Sequence, residues 1–356
     1  MQNTRLGNKK KKKKIWLRLS LVIVFFLLIG GGLYFYNVYT NVASAVNKMN
    51  KPIHREVSKK REAKVEFEQK DPISILMVGV DEREGDGGRT DSMLVLTVNP
   101  ENKTTKILSI ARDTRTKLIY PDKPTKTKID KINHAYAFGG IEMSIETVEH
   151  FLNIPIDYYV QVNMEGFKDI VDAVGGIDVD NQIAFELDGV YLKKGPQHLN
   201  GEKALQYARM RKADPKGDAG RQERQREVIS KIIEQGKSIK TLTNYDNILG
   251  ALENNIKTNL TLEDIIGIQK DYKPAADTIE RIEIPGDGML TNTGWFFFVS
   301  DETRQQLSDQ LREQLGLPSQ PVEKYNLGAQ NKNDSSNNKN TTKKVETDQF
   351  IESDQK

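Results

Sequence analysis

Residues 206–226, QYARMRKADPKGDAGRQERQR, gather seven lysines and arginines around a loop that contains glycine and proline. Five of the seven are arginine, and the three acids in the segment leave four positive charges unbalanced. A solvated charged loop would account for the lysines. The arginines indicate more, because a planar guanidinium binds phosphate oxygens in pairs and an ammonium group does not. The composition therefore favours a phosphate-binding loop.

The arginines on either side of this loop are spaced so that they can act together. Arg209 and Arg211 follow one predicted helix, and Arg221 opens the next. Arg221, Arg224 and Gln225 have the spacing that places them on one helix face. A helix N-terminus also attracts anions through its free N–H groups and its dipole. We expect these side chains to bind phosphate, and a pyrophosphate has enough charge to engage several of them.

A second polar cluster, VDEREGDGGRTDS at 80–92, lies between two apolar runs. Asp81 ends the first run and Asp91 begins the second, so the two carboxylates could share a cation if the runs are neighbouring strands. Oxygen ligands without nearby histidine or cysteine favour Mg²⁺ or Mn²⁺ over zinc. An ordinary turn is the simpler alternative, because aspartate and glycine are typical turn residues.

A third cluster is SIARDTRTKL at 109–118. Arg112 and Arg115 follow directly on an apolar run, with Asp113 between them. Open α/β sheets bind ligands at strand ends, so the pattern is compatible with an anion site. A surface ion pair explains it equally well.

The elements that must position these clusters alternate between strands and helices. Apolar runs predict strands at 73–81, 92–100, 106–113, 157–163, 176–180 and 278–286. Helical spacing predicts helices at 139–153, 164–176, 221–236 and 302–316, another one capped by Asn200, and more between 237 and 277. The alternation predicts an α/β domain over 71–318, with a mixed central sheet and helices on both faces in three layers. Residues 319–356, rich in Asn, Lys, Ser and Gln, predict a disordered tail.

The N-terminal part of the chain predicts a membrane anchor. The uncharged run Leu19–Tyr36 is long enough to cross the roughly 30 Å hydrocarbon core as a helix. Lys9–Lys14 precede it, so the positive-inside rule predicts a basic cytoplasmic tail at 1–14, a transmembrane anchor at 15–39 and an extracellular stalk at 40–70. The expected protein is a single-pass type II protein of the cell membrane. A signal peptide cleaved near Ala43–Ala45, or a basic nucleic-acid patch, is the weaker alternative.

Composition narrows the function further. The chain has no cysteine, which excludes disulfides, thiolate metal sites and cysteine nucleophiles. Eight lysines and arginines and no acid precede residue 19, so the remainder is acidic although the net charge is +3. A globally basic nucleic-acid binder is therefore excluded. Outside the membrane, a phosphate site would face lipid-linked phosphates or anionic wall polymers.

Five blocks of sequence, in this order behind one predicted anchor, resemble the LytR–CpsA–Psr family. They are GVDEREGDGGRTDSMLVLTVNP, ILSIARDTRTKL, KINHAYAFGG, VGGIDVD and HLNGEKALQYARMRKADPKGDAGRQERQREVI. The resemblance implies a phosphotransferase that moves a glycopolymer phosphate, such as wall teichoic acid or capsule, from an undecaprenyl-pyrophosphate carrier to a peptidoglycan sugar hydroxyl. It also implies Mg²⁺ as cofactor, with Mn²⁺ as a possible substitute.

The resemblance also implies roles for particular residues. It assigns Asp81 and Asp91 to the metal, and it assigns the chemistry of transfer to Asp91, Arg112, Arg209, Arg211 and Arg221. It places substrate-binding groups at Arg89, Arg115, Lys131, Asp218 and Gln225. It further implies an apolar tunnel for the polyprenyl tail, among residues of 141–174 and 183–192. The family commonly has proline before the arginine of the second block, whereas this chain has Ala111. The change from proline to alanine loosens the backbone before Arg112.

Three questions stay open at this point. The general base is not identified, since His134 and His198 lie outside the arginine clusters and are expected to be structural. A non-catalytic module that binds wall polymer or lipid pyrophosphate would use the same cations. A transcriptional attenuator and a hydrolase that uses water as acceptor are the remaining alternatives.

Overall fold

The computed structural model describes residue 25 and residues 29–34, 36–81, 88–123, 125–236, 250 and 252–325. Its strands are β1 Ile73–Asp81, β2 Arg89–Asn99, β3 Thr104–Ile110, β4 Arg115–Ile119, β5 Thr127–Lys131, β6 Tyr158–Val162, β7 Ile177–Asn181, β8 Phe185–Leu187, β9 Val190–Leu192, β10 Gly195–Leu199, β11 Ile256–Thr258, β12 Thr278–Ile282, β13 Asp287–Thr291 and β14 Gly294–Phe298. Its helices are α1 His134–Leu152, α2 Met164–Ala173, α3 Gly201–Arg209, α4 Asp218–Gly236, α5 Leu262–Asp271 and α6 Asp301–Gln314. A further helix, at residues 36–49, precedes them and is called the N-terminal helix below.

The central element is a six-stranded sheet in the order β11–β6–β1–β2–β3–β12. β1 is antiparallel to β2 and β2 to β3, whereas β6 is parallel to β1 and β12 is parallel to β3. The strands β1, β3, β6 and β12 therefore end at the same edge, called here the carboxyl edge. This is the edge at which open α/β sheets place their ligands.

Both faces of the sheet are covered by helices. Successive side chains of a strand point to opposite faces. Met93 and Val95 of β2 belong to a core that includes α1 and α6, and Leu94 and Leu96 belong to a core that includes α4. The predicted mixed sheet with three layers is therefore confirmed.

Several elements differ from the prediction. The helix predicted at 139–153 begins earlier, at His134, and its backbone is non-helical at Gly139 and Gly140, where φ is −156° and 63°. The strand at 176–180 is present as β7 but pairs with β10 in a separate two-stranded sheet. The hairpins β4–β5, β8–β9 and β13–β14 were not predicted.

The predicted stalk is packed on the domain instead of standing free. Arg55 pairs with Glu149 at 2.7 Å, and Ser58 donates a hydrogen bond of 2.6 Å to the same carboxylate. Arg61 pairs with Asp157 through its Nε at 2.7 Å. Because Ser58 and Glu149 are buried, residues 50–61 are part of the folded domain.

We expect Ser58→Ala to lower the free energy of unfolding by about 1–2 kcal/mol, because the buried Glu149 carboxylate loses a donor. Urea unfolding measures the change. The matched control is Ser319→Ala, whose exposed hydroxyl bonds Asp309 and whose loss should cost less than about 0.5 kcal/mol. Equal stability of the two variants would contradict a docked stalk.

The packed chain also extends past the predicted C-terminal boundary at 318. Val322 is buried, and the ring of Tyr325 stacks on His150 and lies 3.6 Å from the Arg304 guanidinium. These contacts show that the domain continues to Tyr325. Residues 326–356, which make up the rest of the predicted tail, lie outside the described residues.

The predicted membrane anchor falls mostly on residues outside the described ranges. Among the residues that are described, no helix combines the length and the apolar character needed to cross a bilayer. The described part of the N-terminal helix ends against the domain, with Ala45, Val46 and Met49 buried.

Candidate active site

A bulge at the carboxyl edge presents Asp91. The register of β1 and β2 shifts between Gly79 and Val80, so Asp91 is the extra residue of a β-bulge. Bulges redirect a side chain out of the regular ladder. Arg112, just past the end of β3, donates a hydrogen bond of 2.6 Å to Asp91. Burial acts to lower the pKa of Arg112, but the bond and charge of Asp91 outweigh it, so the pKa is raised.

Arg221 joins this pair from the first turn of α4. Its side chain is 11% exposed and lies 2.7 Å from Asp218. Its pKa is lowered, first by burial and then by the positive charges of Arg112 and Arg211, which Asp218 only partly offsets. Its Nε is buried without a hydrogen-bond partner among the described residues. A buried arginine that lies near other cations and keeps one N–H without a hydrogen-bond partner indicates a site for an anion.

Gln225 fixes the position of α4 against the sheet. Its side-chain oxygen accepts a hydrogen bond of 3.2 Å from Ser92, the residue after Asp91. Its amide nitrogen donates at 3.5 Å to the carbonyl of Ala208 near the end of α3. Gln225 therefore links the bulge to the loop that carries the arginines.

Arg224 does not share the phosphate-binding role predicted from its spacing. It is buried, its Nε donates at 2.9 Å to the Tyr207 carbonyl, and its other nitrogens bind Asp214 and the Met210 carbonyl. The close approach of Asp214 requires glycine at position 220, where a Cβ would overlap the carboxylate. Arg224 therefore shapes the loop between α3 and α4 from inside.

The two arginines after α3 face different surroundings. Arg209 pairs with Asp188 in the β8–β9 turn at 2.6 Å and contacts Gln206 at 3.3 Å. Arg211 is exposed, and its charge acts on Arg221. The structure thus brings Arg211 toward the Arg112–Arg221 cluster, while Arg209 is engaged by Asp188.

Arg115 and Lys131 lie at the border of the cluster and contact aromatic rings. The Arg115 guanidinium lies 5.4 Å from the centre of the Phe298 ring, and the Lys131 ammonium lies 5.6 Å from that of Phe296. Lys131 also pairs with Asp113 at 2.7 Å. Asp113 in turn approaches Arg112 at 3.6 Å. These rings were not predicted, although the run WFFF at 295–298 was a usable signal in the sequence.

Two predicted residues are described only by their backbone. Asp81 is the register partner of Arg89 at the ends of β1 and β2. The side chains of both lie outside the described part of the structure. Among the described residues, no group of three or more histidines and carboxylates could hold a metal ion. The metal assignment of Asp81 and Asp91 therefore stays a prediction.

The remaining sequence expectations concern the histidines and the tunnel. His134 and His198 contact Asp130 and Asp178 at 2.9 and 2.8 Å, and their structural role stays a prediction. The apolar residues assigned to a tunnel lie largely in two packed cores, and the tunnel stays a prediction.

Comparison with known proteins identifies the family. The LytR_cpsA_psr family matches residues 36–313. The chain belongs to the LytR–CpsA–Psr family. The sequence resemblance is therefore confirmed, and it extends beyond the five blocks that first indicated it.

The chain is similar to several named proteins and solved structures. A Bacillus anthracis protein, polyisoprenyl-teichoic acid–peptidoglycan teichoic acid transferase TagU, is 48% identical over 307 residues, covering 86% of this chain and 98% of its own length. TagT bound to LIIa-WTA is 33% identical with a TM-score of 0.62, covering 74% and 97%. A protein from Enterococcus faecalis described as a transcriptional regulator is 39% identical with a TM-score of 0.65, covering 72% and 92%.

Proposed function

We propose that this LytR–CpsA–Psr protein is a polyisoprenyl-teichoic acid–peptidoglycan teichoic acid transferase, anchored in the cell membrane with its domain outside. The observation that carries the proposal is the meeting of Arg112 and Arg221 at the carboxyl edge. The positive charges of Arg112 and Arg211 act on Arg221, and the three nearby carboxylates of Asp91, Asp113 and Asp218 also face Lys131, so four cations meet three carboxylates. A pyrophosphate has the charge and the oxygen geometry that such arginines bind.

The proposed reaction is the transfer of a phosphoryl group from the lipid carrier to a sugar hydroxyl. The acceptor hydroxyl oxygen forms a bond to the phosphorus that carries the polymer, the bond from that phosphorus to the bridging oxygen breaks, undecaprenyl phosphate leaves, and the hydroxyl proton is released. Arg112, Arg211 and Arg221 would stabilise the negative charge that grows on the leaving phosphate. Asp91 would hold Arg112 in position, and Gln225 would hold α4.

Asp81 and Asp91 are the proposed ligands of a Mg²⁺ ion, which Mn²⁺ could replace. Carboxylate oxygens near a phosphate suit this ion, because Mg²⁺ uses one or two carboxylates and completes its shell with water and phosphate. When bound, it would neutralise phosphate charge during transfer.

The test is a transfer assay with the full-length protein in proteoliposomes. The donor is teichoic acid linked to undecaprenyl pyrophosphate, and the acceptor is peptidoglycan. We expect polymer attached to peptidoglycan and undecaprenyl phosphate released in equal amounts with Mg²⁺, and a loss of both after chelation. Donor binding without turnover would indicate a binding module, and release of polymer to water alone would indicate a hydrolase.

A transcriptional regulator is the second candidate, because two similar structures carry that description. It requires the domain to be in the cytoplasm, and the acidic remainder of the chain is unsuited to DNA. Protease added to intact cells should cleave the domain if it is outside. Complete protection of the domain would favour regulation.

A further inference from the structure

An exposed apolar hairpin tip lies beside the candidate active site. It consists of Met289, Leu290 and Trp295 on β13–β14, which are 46%, 77% and 43% exposed. Residues 288–300 contain no charged side chain. A cluster of large apolar side chains held in water is a typical contact surface.

The base of the hairpin is attached to the cluster that contains Arg112. The N–H of Phe297 donates a hydrogen bond of 2.9 Å to the carbonyl of Asp113. Asp113 also pairs with Lys131, and Arg115 lies against Phe298. The hairpin therefore extends from the carboxyl edge, with cations at its base and apolar side chains toward its turn.

The placement of the side chains at the tip is set by the hairpin itself. Leu290 and Trp295 are register partners across the two strands. A Cβ at Gly288 would collide with the Trp295 ring, so the ring lies directly over this glycine. The Trp295 ring therefore packs against the backbone of the opposite strand of the hairpin.

The N-terminal helix reaches the domain from the same edge. Asn50 forms a bridge parallel to Thr258 of β11, and β11 runs away from the carboxyl edge because it is antiparallel to β6. Lys48 pairs at 2.8 Å with Glu253, which precedes β11. The chain thus arrives at Asn50 from the carboxyl edge. The apolar run predicted to cross the membrane lies immediately before this helix.

We propose that the apolar tip is a second contact with the lipid bilayer, so that the carboxyl edge faces the membrane. Tryptophan, leucine and methionine without charges suit the boundary between headgroups and acyl chains, and Arg115 and Lys131 at the base suit the phosphate level. A sugar-binding surface would use the Trp295 ring, but it would not require the exposed side chain of Leu290. The purpose of the contact rests on the proposed function, since it would bring the arginines to a lipid-linked donor.

A single-tryptophan variant of the full chain tests the contact directly. The chain has two tryptophans, Trp16 and Trp295, so Trp16→Phe leaves Trp295 as the only one. The protein is placed in nanodiscs of phosphatidylglycerol and phosphatidylethanolamine with acyl chains brominated near the headgroup. We expect strong quenching of Trp295, and Leu290→Asp in the same background should abolish it.

The matched control is Ile266→Asp on α5. Ile266 is 51% exposed, and its neighbour Gly267 packs on Phe67, which stacks on Tyr158 at the opposite edge of the sheet. This variant should leave the quenching unchanged. With a donor embedded in vesicles, Leu290→Asp should lower transfer about tenfold, as expected for the loss of one buried leucine, and Ile266→Asp should not.

Three results would overturn the contact. The first is quenching of Trp295 by aqueous iodide but not by brominated lipid. The second is Trp295 emission that responds to peptidoglycan saccharides instead of lipid. The third is a concentration-dependent dimer that buries the tip. Quenching does not depend on turnover. A protein that is quenched but transfers no polymer would therefore reject the proposed function and leave the membrane contact standing.

Discussion

We expect Arg112→Ala to lower the rate constant of polymer transfer by about 10²–10³-fold while the domain stays folded. Arg112 is only half-buried and extends from a strand end, so its removal creates no cavity in a core. What is lost is a guanidinium placed by Asp91 where negative charge develops. The measurement is kcat for transfer in proteoliposomes, with thermal unfolding of the same sample.

Two variants serve as controls for Arg112. Arg112→Lys keeps the charge but loses the paired geometry, and it should recover only part of the rate. Arg209→Ala removes an arginine that is already engaged by Asp188, so its effect should be much smaller. If Arg112→Ala and Arg209→Ala lose activity equally, the cluster defined by Arg112 and Arg221 is not the centre of the reaction.

The sequence predicts the strands that reach the site better than it predicts their partners. The run ISILMVGVD coincides with β1 because a strand buried on both faces needs an unbroken apolar stretch, which few other structures require. The bulge that presents Asp91 depends on one extra residue between paired strands. Apolar patterning gives no signal for that register.

Arg221 and Arg224 show where sequence patterning fails for the site. Both are arginines on one predicted helix face, and their spacing indicates a shared role. Their roles differ because Asp214 folds back over Gly220 and takes Arg224, while Arg221 stays without a partner at its Nε within the described structure. That difference depends on the path of the loop that holds Asp214, and helical spacing carries no information about that path.

The β13–β14 hairpin was missed for a related reason. Its sequence, DGMLTNTGWFFF, lacks the strict alternation of a half-buried strand, because apolar residues occupy both faces. One face meets Arg115 and Lys131, and the other carries Phe297 toward the core and Trp295 outward. A hairpin that contacts protein on both faces cannot be distinguished from other apolar segments by period alone.

We expect Arg224→Met to lower the free energy of unfolding by about 3 kcal/mol, because it leaves the Asp214 carboxylate buried without its counter-charge. The Asp214 side chain is only 5% exposed, and the variant also removes the donors to the carbonyls of Tyr207 and Met210. Urea unfolding at neutral pH measures the loss. Arg221→Met is the matched control, and its loss of stability should be much smaller, since burial and neighbouring cations oppose the charge of Arg221 and its partner Asp218 is more exposed than Asp214.

The pH dependence of stability distinguishes the loss of this ion pair from the loss of side-chain packing in Arg224→Met. Burial acts to raise the pKa of Asp214, but the hydrogen bonds from Arg224 and the Lys216 N–H outweigh it, so the pKa falls below the ordinary 3.8. A carboxylate with a lowered pKa adds stability above its unfolded pKa and loses it as pH falls through the folded value. The gap between wild type and Arg224→Met should therefore be full at pH 7 and shrink below about pH 4. A gap that stays constant at acid pH would assign the effect to the volume of the side chain instead of its charge.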